Sequence, residues 1–366
     1  MASLVTAASV KDWFVDHSEP NPPTSKTSGG YPARLPVKRQ LALIIAVLGL
    51  GMGFIFSYVG AFHRPVPHGV RVAVVAAPAR TAQLLSTLNS LPGAPLRAEA
   101  VPTAAQARVQ LLEDRTTAAL IAGGAGSQDR LLIASGGGVA LAEAVKQVVI
   151  KVEDAYRRPL VTSDLVPLQP GDYRGLTSFY TVVGWLVSGY LLAALLGITS
   201  AARPSGPQGV AVRLGVLAGY AVAAGLGGAL IVDTLLSAQT GQFLAQSAVG
   251  ALLVFAAGSV TVAFEQLSGI VGIGISILIF VILGNPSAGG AYQLPLLPAF
   301  WRRIGDALPN GAGVDTLRRI LYFGGHGITG HLVVIGVWCA GGMLLSLGVA
   351  AARARRRAAL ATPGLA

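Results

Sequence analysis

Charge is scarce in this chain. Asp, Glu, Lys and Arg make up only 12% of its 366 residues, and hydrophobic residues make up 53%. That balance excludes an ordinary soluble domain, in which about a quarter of residues are charged. Cysteine is almost absent: Cys339 stands alone inside an apolar run, which excludes an intrachain disulfide, a cysteine metal site and a CxxC redox pair. Nucleotide and hydrolase signatures are missing as well. Gly123-Gly124 and Gly136-Gly137-Gly138 lack a Walker A ending and a G-x-G-x-x-G frame, and there is no HExxH or G-x-S-x-G. We read both glycine clusters as turns, and the chain as neither an enzyme nor a holder of a cofactor. Acids are outnumbered, 16 to 27, for a net charge of +11. The basic residues flank apolar runs and scatter between them, which argues against nucleic acid as a partner.

What the chain has in place of charge is six stretches without Asp, Glu, Lys or Arg: 41–62, 176–200, 214–232, 242–264, 266–284 and 332–352. About 20 apolar residues cross a bilayer as a helix, and unpaired backbone is too costly in lipid for other conformations. The fifth stretch opens on polar and glycine residues and ends at Asn285-Pro286, so it is either a full span or a broken one. The fold class is thus a mainly α membrane protein of six transmembrane helices, with an extracytoplasmic α/β domain between the first and second.

Basic clusters give an orientation. Arg34, Lys38 and Arg39 precede the first span, Arg203 and Arg213 lie between the second and third, and Arg353, Arg355, Arg356 and Arg357 follow the sixth. With six spans these share one side, which the positive-inside rule makes the cytoplasm. The expected location is the plasma (inner) membrane, with both termini cytoplasmic. Residues 1–40, rich in Ser, Pro, Thr and Gly, read as a disordered tail, and 354–366 as a basic tail. The first span follows a long polar segment and lacks a small-x-small site, so it is not read as a cleaved signal peptide.

Residues 63–175 read as the α/β domain. The apolar run 70–76 is a buried strand, 81–91 a helix, 96–101 a strand, and 103–113 a helix capped by Thr103. Short strands follow at 118–122 and 131–134, then a helix over 139–156 and a last strand at 161–166. Glu113, Asp114, Glu143, Glu153 and Asp154 stand near Arg or Lys and read as solvated helix faces.

Within 176–353 the pattern speaks of packing. Gly215 and Gly219 form a GxxxG pair in the third span, and Gly272 lies early in the fifth; small residues of this kind let helices approach closely in lipid. Asp233 and Glu265, the only acids between Arg174 and Asp306, fall at span ends, where headgroup water is in reach. His63, His68, His326 and His331 look too scattered to bind a metal.

The loop 285–330 is the most distinctive segment. Asn285-Pro286 closes a span, and the small residues from Ser287 to Gly290 cannot prolong a stable helix, so this backbone must be buried in protein or line a wet cavity. Residues 298–308 suit a short amphipathic helix and 314–323 a second, with a break at Pro309-Asn310-Gly311. Trp301, Arg302, Arg318 and Arg319 are then expected at the outer headgroup layer, in contact with membrane lipids.

One span, an outer α/β domain and five further spans with such a loop resemble the membrane domain of ABC-2-type transporters, closest to the phage-infection-protein (YhgE/Pip-like) branch. The matching residues are 72–76, 103–113 leading to 118–121, the turn Asn285-Pro286-Ser287-Ala288-Gly289-Gly290, Leu297-Pro298 with Phe300, Leu308-Pro309, and Leu317-Arg318-Arg319 with Gly324-Gly325. The resemblance implies a permease half that forms a homodimer or heterodimer, takes its ATPase from a separate chain, and exports an amphiphilic substrate. On that reading Asn285, Pro286, Ser287, Gly289, Gly290, Trp301, Arg302, Arg318 and Arg319 form the substrate path or gate. The alternative is a non-transporting envelope or secretion scaffold that presents the α/β domain.

Overall fold

The computed structural model describes residues 36–124, 127–199 and 206–361. Most of the expected N-terminal tail, Arg34, Arg203 and the last residues of the basic tail lie outside the described residues. The chain divides into two compact units, Met1–Val47 and Leu48–Ala366. The described part of the first is the start of helix α1 (Val37–Phe62).

Among the described residues, six helices are long and apolar enough to cross a membrane. Besides α1 they are α5 (Thr177–Thr199), α6 (Pro207–Ala229), α7 (Phe243–Ser268), α8 (Ile270–Ile277) with its continuation, and α12 (Thr329–Ala361). The central helix is α7, around which α5, α6 and α12 pack. Its neighbours reach it through glycines. Any Cβ on Gly189, Gly225 or Gly342 would strike the α7 backbone, and one on Gly272 would strike it at Phe264. Trp185 lies over Gly228 and Gly250, and its indole N–H donates to the Ala224 carbonyl at 3.0 Å. Dense small-residue contact of this kind holds helices together where lipid gives no hydrophobic drive.

The expectation for Gly272 matches this packing; that for Gly215 and Gly219 does not. Among the described residues, no other element lies within 4 Å of where a Cβ on either would stand. The inward stripe of α6 is Val210, Leu214, Leu217 and Ala221, spaced three and four apart, which turns the two glycines outward. The third span also starts earlier than its apolar run, at Pro207, so Arg213 belongs to the helix rather than to a loop.

Between α1 and α5 stands a five-stranded sheet in the order β2-β1-β3-β4-β5. Its strands are β1 (Val70–Val75), β2 (Leu96–Ala100), β3 (Ala118–Ile121), β4 (Asp129–Ile133) and β5 (Leu160–Asp164). All neighbours are parallel except β3 and β4. The connecting helices are α2 (Pro78–Asn89), α3 (Ala104–Leu112) and α4 (Val139–Ala155). Thr103 caps α3, accepting from the Gln106 N–H. The last strand ends two residues before the expected Val166.

The sheet is buried on both faces, which explains its continuous apolar strands. Val70, Val72 and Val74 face Leu84 and Leu88 of α2 and Val145 and Val149 of α4. Ala73, Ala119 and Leu132 on the other face meet Ala107 and Leu111 of α3 and, from far along the chain, Phe323.

Phe323 belongs to the loop before the last span. There α8 passes through a π-helical turn, Leu278–Leu283, into the short α9 (Gly284–Ser287). So the helix does not stop at Asn285-Pro286. Pro286 has no N–H for the Ile282 carbonyl and would clash with it in a regular helix, and the wider turn relieves that conflict. The Ser57 hydroxyl of α1 donates to the Ile282 carbonyl, and Asn310 Nδ2 donates to that of Phe280 at 2.9 Å. Next come α10 (Ala299–Ala307) and α11 (Pro309–Tyr322). Pro309-Asn310-Gly311 does not break the chain; Leu308 is the extended residue, and Pro309 opens α11, where its missing N–H costs nothing.

Candidate functional site

The α10–α11 hairpin and the α/β domain enclose a cleft of about 410 Å³. Arg71 reaches it from β1, Asp114 from the end of α3, Arg302 and Asp306 from α10, Asp315 and Arg319 from α11, and His331 from α12. These elements are fixed to one another. The His68 N–H donates to the Pro295 carbonyl at 3.0 Å, and the Leu141 N–H to Gln293 Oε1, also at 3.0 Å. Tyr322 presses on Gly136, and its hydroxyl donates to Asp172 at 2.8 Å.

Only some of the charge in the cleft is matched. Arg319 pairs with Asp114 at 2.6 Å, and His331 Nε2 lies 3.7 Å from Asp315. Among the described residues Arg71, Arg302 and Asp306 have no ion pair. Burial holds the Asp114 carboxyl up at about 6, against the pull of Arg319. Burial and then Asp315 push Asp306 up as well. The cleft thus offers two uncommitted guanidiniums beside acids that take protons easily, a setting that suits an anionic group. His68 and His331, far apart in sequence, both line it, each with a buried Nδ1 that lacks a partner. No group of three His, Cys, Asp or Glu among the described residues is arranged to hold a metal.

Of the nine residues expected in the path, Arg302, Arg318 and Arg319 line the cleft. Arg318 does so from a buried position, 3% exposed, and donates to the Gly289 and Gly290 carbonyls at 2.7 and 3.1 Å. It braces the Gly289-Gly290 turn. Gly289 has φ +71°, which favours glycine, and a Cβ on Gly290 would strike the Phe179 ring. Asn285, Pro286 and Ser287 are buried; Asn285 Oδ1 accepts from Asn310 Nδ2 at 3.0 Å. Trp301 is buried against Ala61 and Leu297, so protein covers its ring. The residues the sequence left out are Arg71, Asp114, Asp306, Asp315, His68 and His331. Arg71 did carry a signal, a lone charge in the run VRVAVV.

Two acids, Glu265 and Glu153, depart from the sequence reading. Glu265 does not reach water: it is buried and pairs with Arg213, which also donates to the Ala193 carbonyl. Asp233 accepts from the Gly241 N–H at 2.9 Å, closing a turn. Glu143 does sit on a solvated face, accepting from Lys146 and Gln147, but Glu153 on the same helix is fully buried. No family model, curated protein or solved structure matches this chain.

Proposed function

We propose that this chain is the membrane permease subunit of an ABC-2-like exporter, similar to the phage-infection-protein branch, which moves an amphiphilic substrate such as a drug, lipid or envelope precursor outward. Its ATPase is a separate chain, and it works as a dimer in the plasma membrane with the α/β domain outside. The observation that supports this most is the cleft in which Arg71 and Arg302 form no ion pair, set where a helix hairpin meets a span that passes through a π-helical turn ahead of Pro286. An anionic head would bind those guanidiniums while its apolar tail follows the hairpin into lipid.

Changing Arg71→Gln together with Arg302→Gln tests it. Neither side chain braces the fold, so the variant inserts and unfolds like the wild type. Export or binding of anionic amphiphiles falls, and that of cationic ones does not. Unchanged handling of anionic amphiphiles rejects the reading.

The scaffold alternative draws support from Phe323, which fixes the loop into the core of the α/β domain. In that case the double variant is silent, and Phe323→Ala alone removes the phenotype.

A further inference from the structure

Two acids in the α/β domain are forced together. Asp129 opens β4 and Glu153 lies in the last turn of α4; their exposures are 0% and 1%. Asp129 takes every donor within reach. Arg80 of α2 donates to it through both terminal nitrogens, Arg158 at 2.9 and 3.0 Å, and the Gly123 N–H at 2.7 Å. Neither oxygen of Glu153 meets an N–H or O–H donor, and the Arg80 guanidinium stays 3.9 Å away. The partner left to Glu153 is the Asp129 carboxylate itself. Both carboxylates face the same Arg80 terminal nitrogen, and when both are ionised they repel, which favours a proton on one of them. The distribution of donors favours Asp129 as the anion and leaves Glu153 as the group to carry the proton.

We propose that Asp129 and Glu153 share a single proton, and that its release frees the end of β3 and makes the α/β domain responsive to pH. The charged groups facing Glu153 are Arg80 from α2, Asp129 from β4 and Arg158 from the turn before β5. Tyr156 lies at the rim of the small pocket above it, hydrogen-bonded to Thr87 at 3.1 Å. Burial and then Asp129 raise the Glu153 carboxyl to about 7. Burial works on Asp129 too, but Arg80, Arg158 and the Gly123 N–H outweigh it and hold that carboxyl well below its usual range.

Once the proton leaves for solvent, Glu153 is an anion without a donor. Arg80 is the nearest one, and it also donates to the Gly123 carbonyl at 2.6 Å. Turning toward Glu153 takes Arg80 away from Gly123, and one bond to the Gly123 carbonyl remains, from Arg158 at 3.3 Å. The stability linkage has the same sign. A carboxyl raised above its ordinary 4.5 in the folded state contributes stability below that value and loses it as pH rises to about 7.

Hydrogen exchange on the full chain in detergent tests this through the Gly123 amide, corrected for the intrinsic pH dependence of exchange. We expect its protection to drop between about pH 6 and about pH 8, either side of the Glu153 value of about 7. Glu153→Gln, whose amide N–H donates to Asp129, keeps the amide protected at both. The infrared carbonyl band of a neutral carboxylic acid is expected in the wild type at the lower pH, lost at the higher, and weaker in Glu153→Gln. Constant protection in the wild type, equal pH dependence in the variant, or a band unaltered by the variant overturns the proposal.

Discussion

The two ends of the helix bundle treat charge in opposite ways. At the end away from the α/β domain, Arg213 in the second turn of α6 meets Glu265 in the last turn of α7. Both are buried, and Gly197 of α5 leaves room for the carboxylate. That pair neutralises itself and offers little to a ligand. At the end beside the α/β domain, Arg71, Arg302 and Asp306 share an open cleft and, among the described residues, form no close ion pair, although Asp114 lies near Arg71 and His331 near Asp306. Buried charge is tolerated only when paired, so the first arrangement is structural. Unpaired charge survives where water and ligands reach it, so the second is where chemistry with a substrate can occur.

The contrast breaks most easily at Glu265. Glu265→Ala strands the buried Arg213 guanidinium and is expected to cost about 3–5 kcal/mol. The loss is read as a lower thermal midpoint in detergent. Arg213→Met combined with Glu265→Leu should recover most of it. A single variant as stable as the wild type would show that water reaches the pair.

Glycine substitutions sharpen the picture at a smaller scale. Gly272→Leu drives a side chain into the Phe264 backbone and should cost about 1–3 kcal/mol. Gly219→Leu meets no other element among the described residues and should leave the monomer unaffected. If Gly219→Leu shifts the size-exclusion profile instead, a second copy covers that face of α6.

The smallest effect is expected in the cleft. Arg319 and Asp114 are partly exposed, so Arg319→Gln should cost no more than about 1 kcal/mol. It also removes the pull that lowers the Asp114 carboxyl, moving it above about 6. A raised carboxyl contributes stability below its ordinary 3.8 that fades as pH climbs to about 6, and the variant extends that fade to higher pH. A pH series of unfolding midpoints checks the shift.

Local pattern carried most of the fold. The run VRVAVV, with both residue parities apolar, announced a strand covered on both faces, and the strand and helix order of the α/β domain followed from similar runs. What covers the second face could not be read, because Phe323 lies more than two hundred residues away. The candidate site was harder for the same reason. Arg318 and Arg319 look alike in sequence, but neighbours on a helix point about 100° apart. One supports the Gly289-Gly290 turn from a buried position, and the other holds Asp114 in the cleft. Glu153 and Glu143 share α4 and both have Lys within a few residues, yet only the fold separates the dry one from the wet one. Gly215 and Gly219 matched a packing motif by spacing, and spacing does not say which face of α6 meets a neighbour.

Pro286 gives the fifth span a mechanical role. Two carbonyls just ahead of it, those of Ile282 and Phe280, are held from two sides, by a hydroxyl on α1 and by an amide on α11. The helix carrying Ser57 leads directly into the α/β domain, and the one carrying Asn310 ends at Phe323 in that domain's core. A tilt of the domain therefore pulls on both fasteners together. Displacement that begins outside the bundle would be delivered to one short stretch near the end of its fifth helix, at the π-helical turn ahead of Pro286.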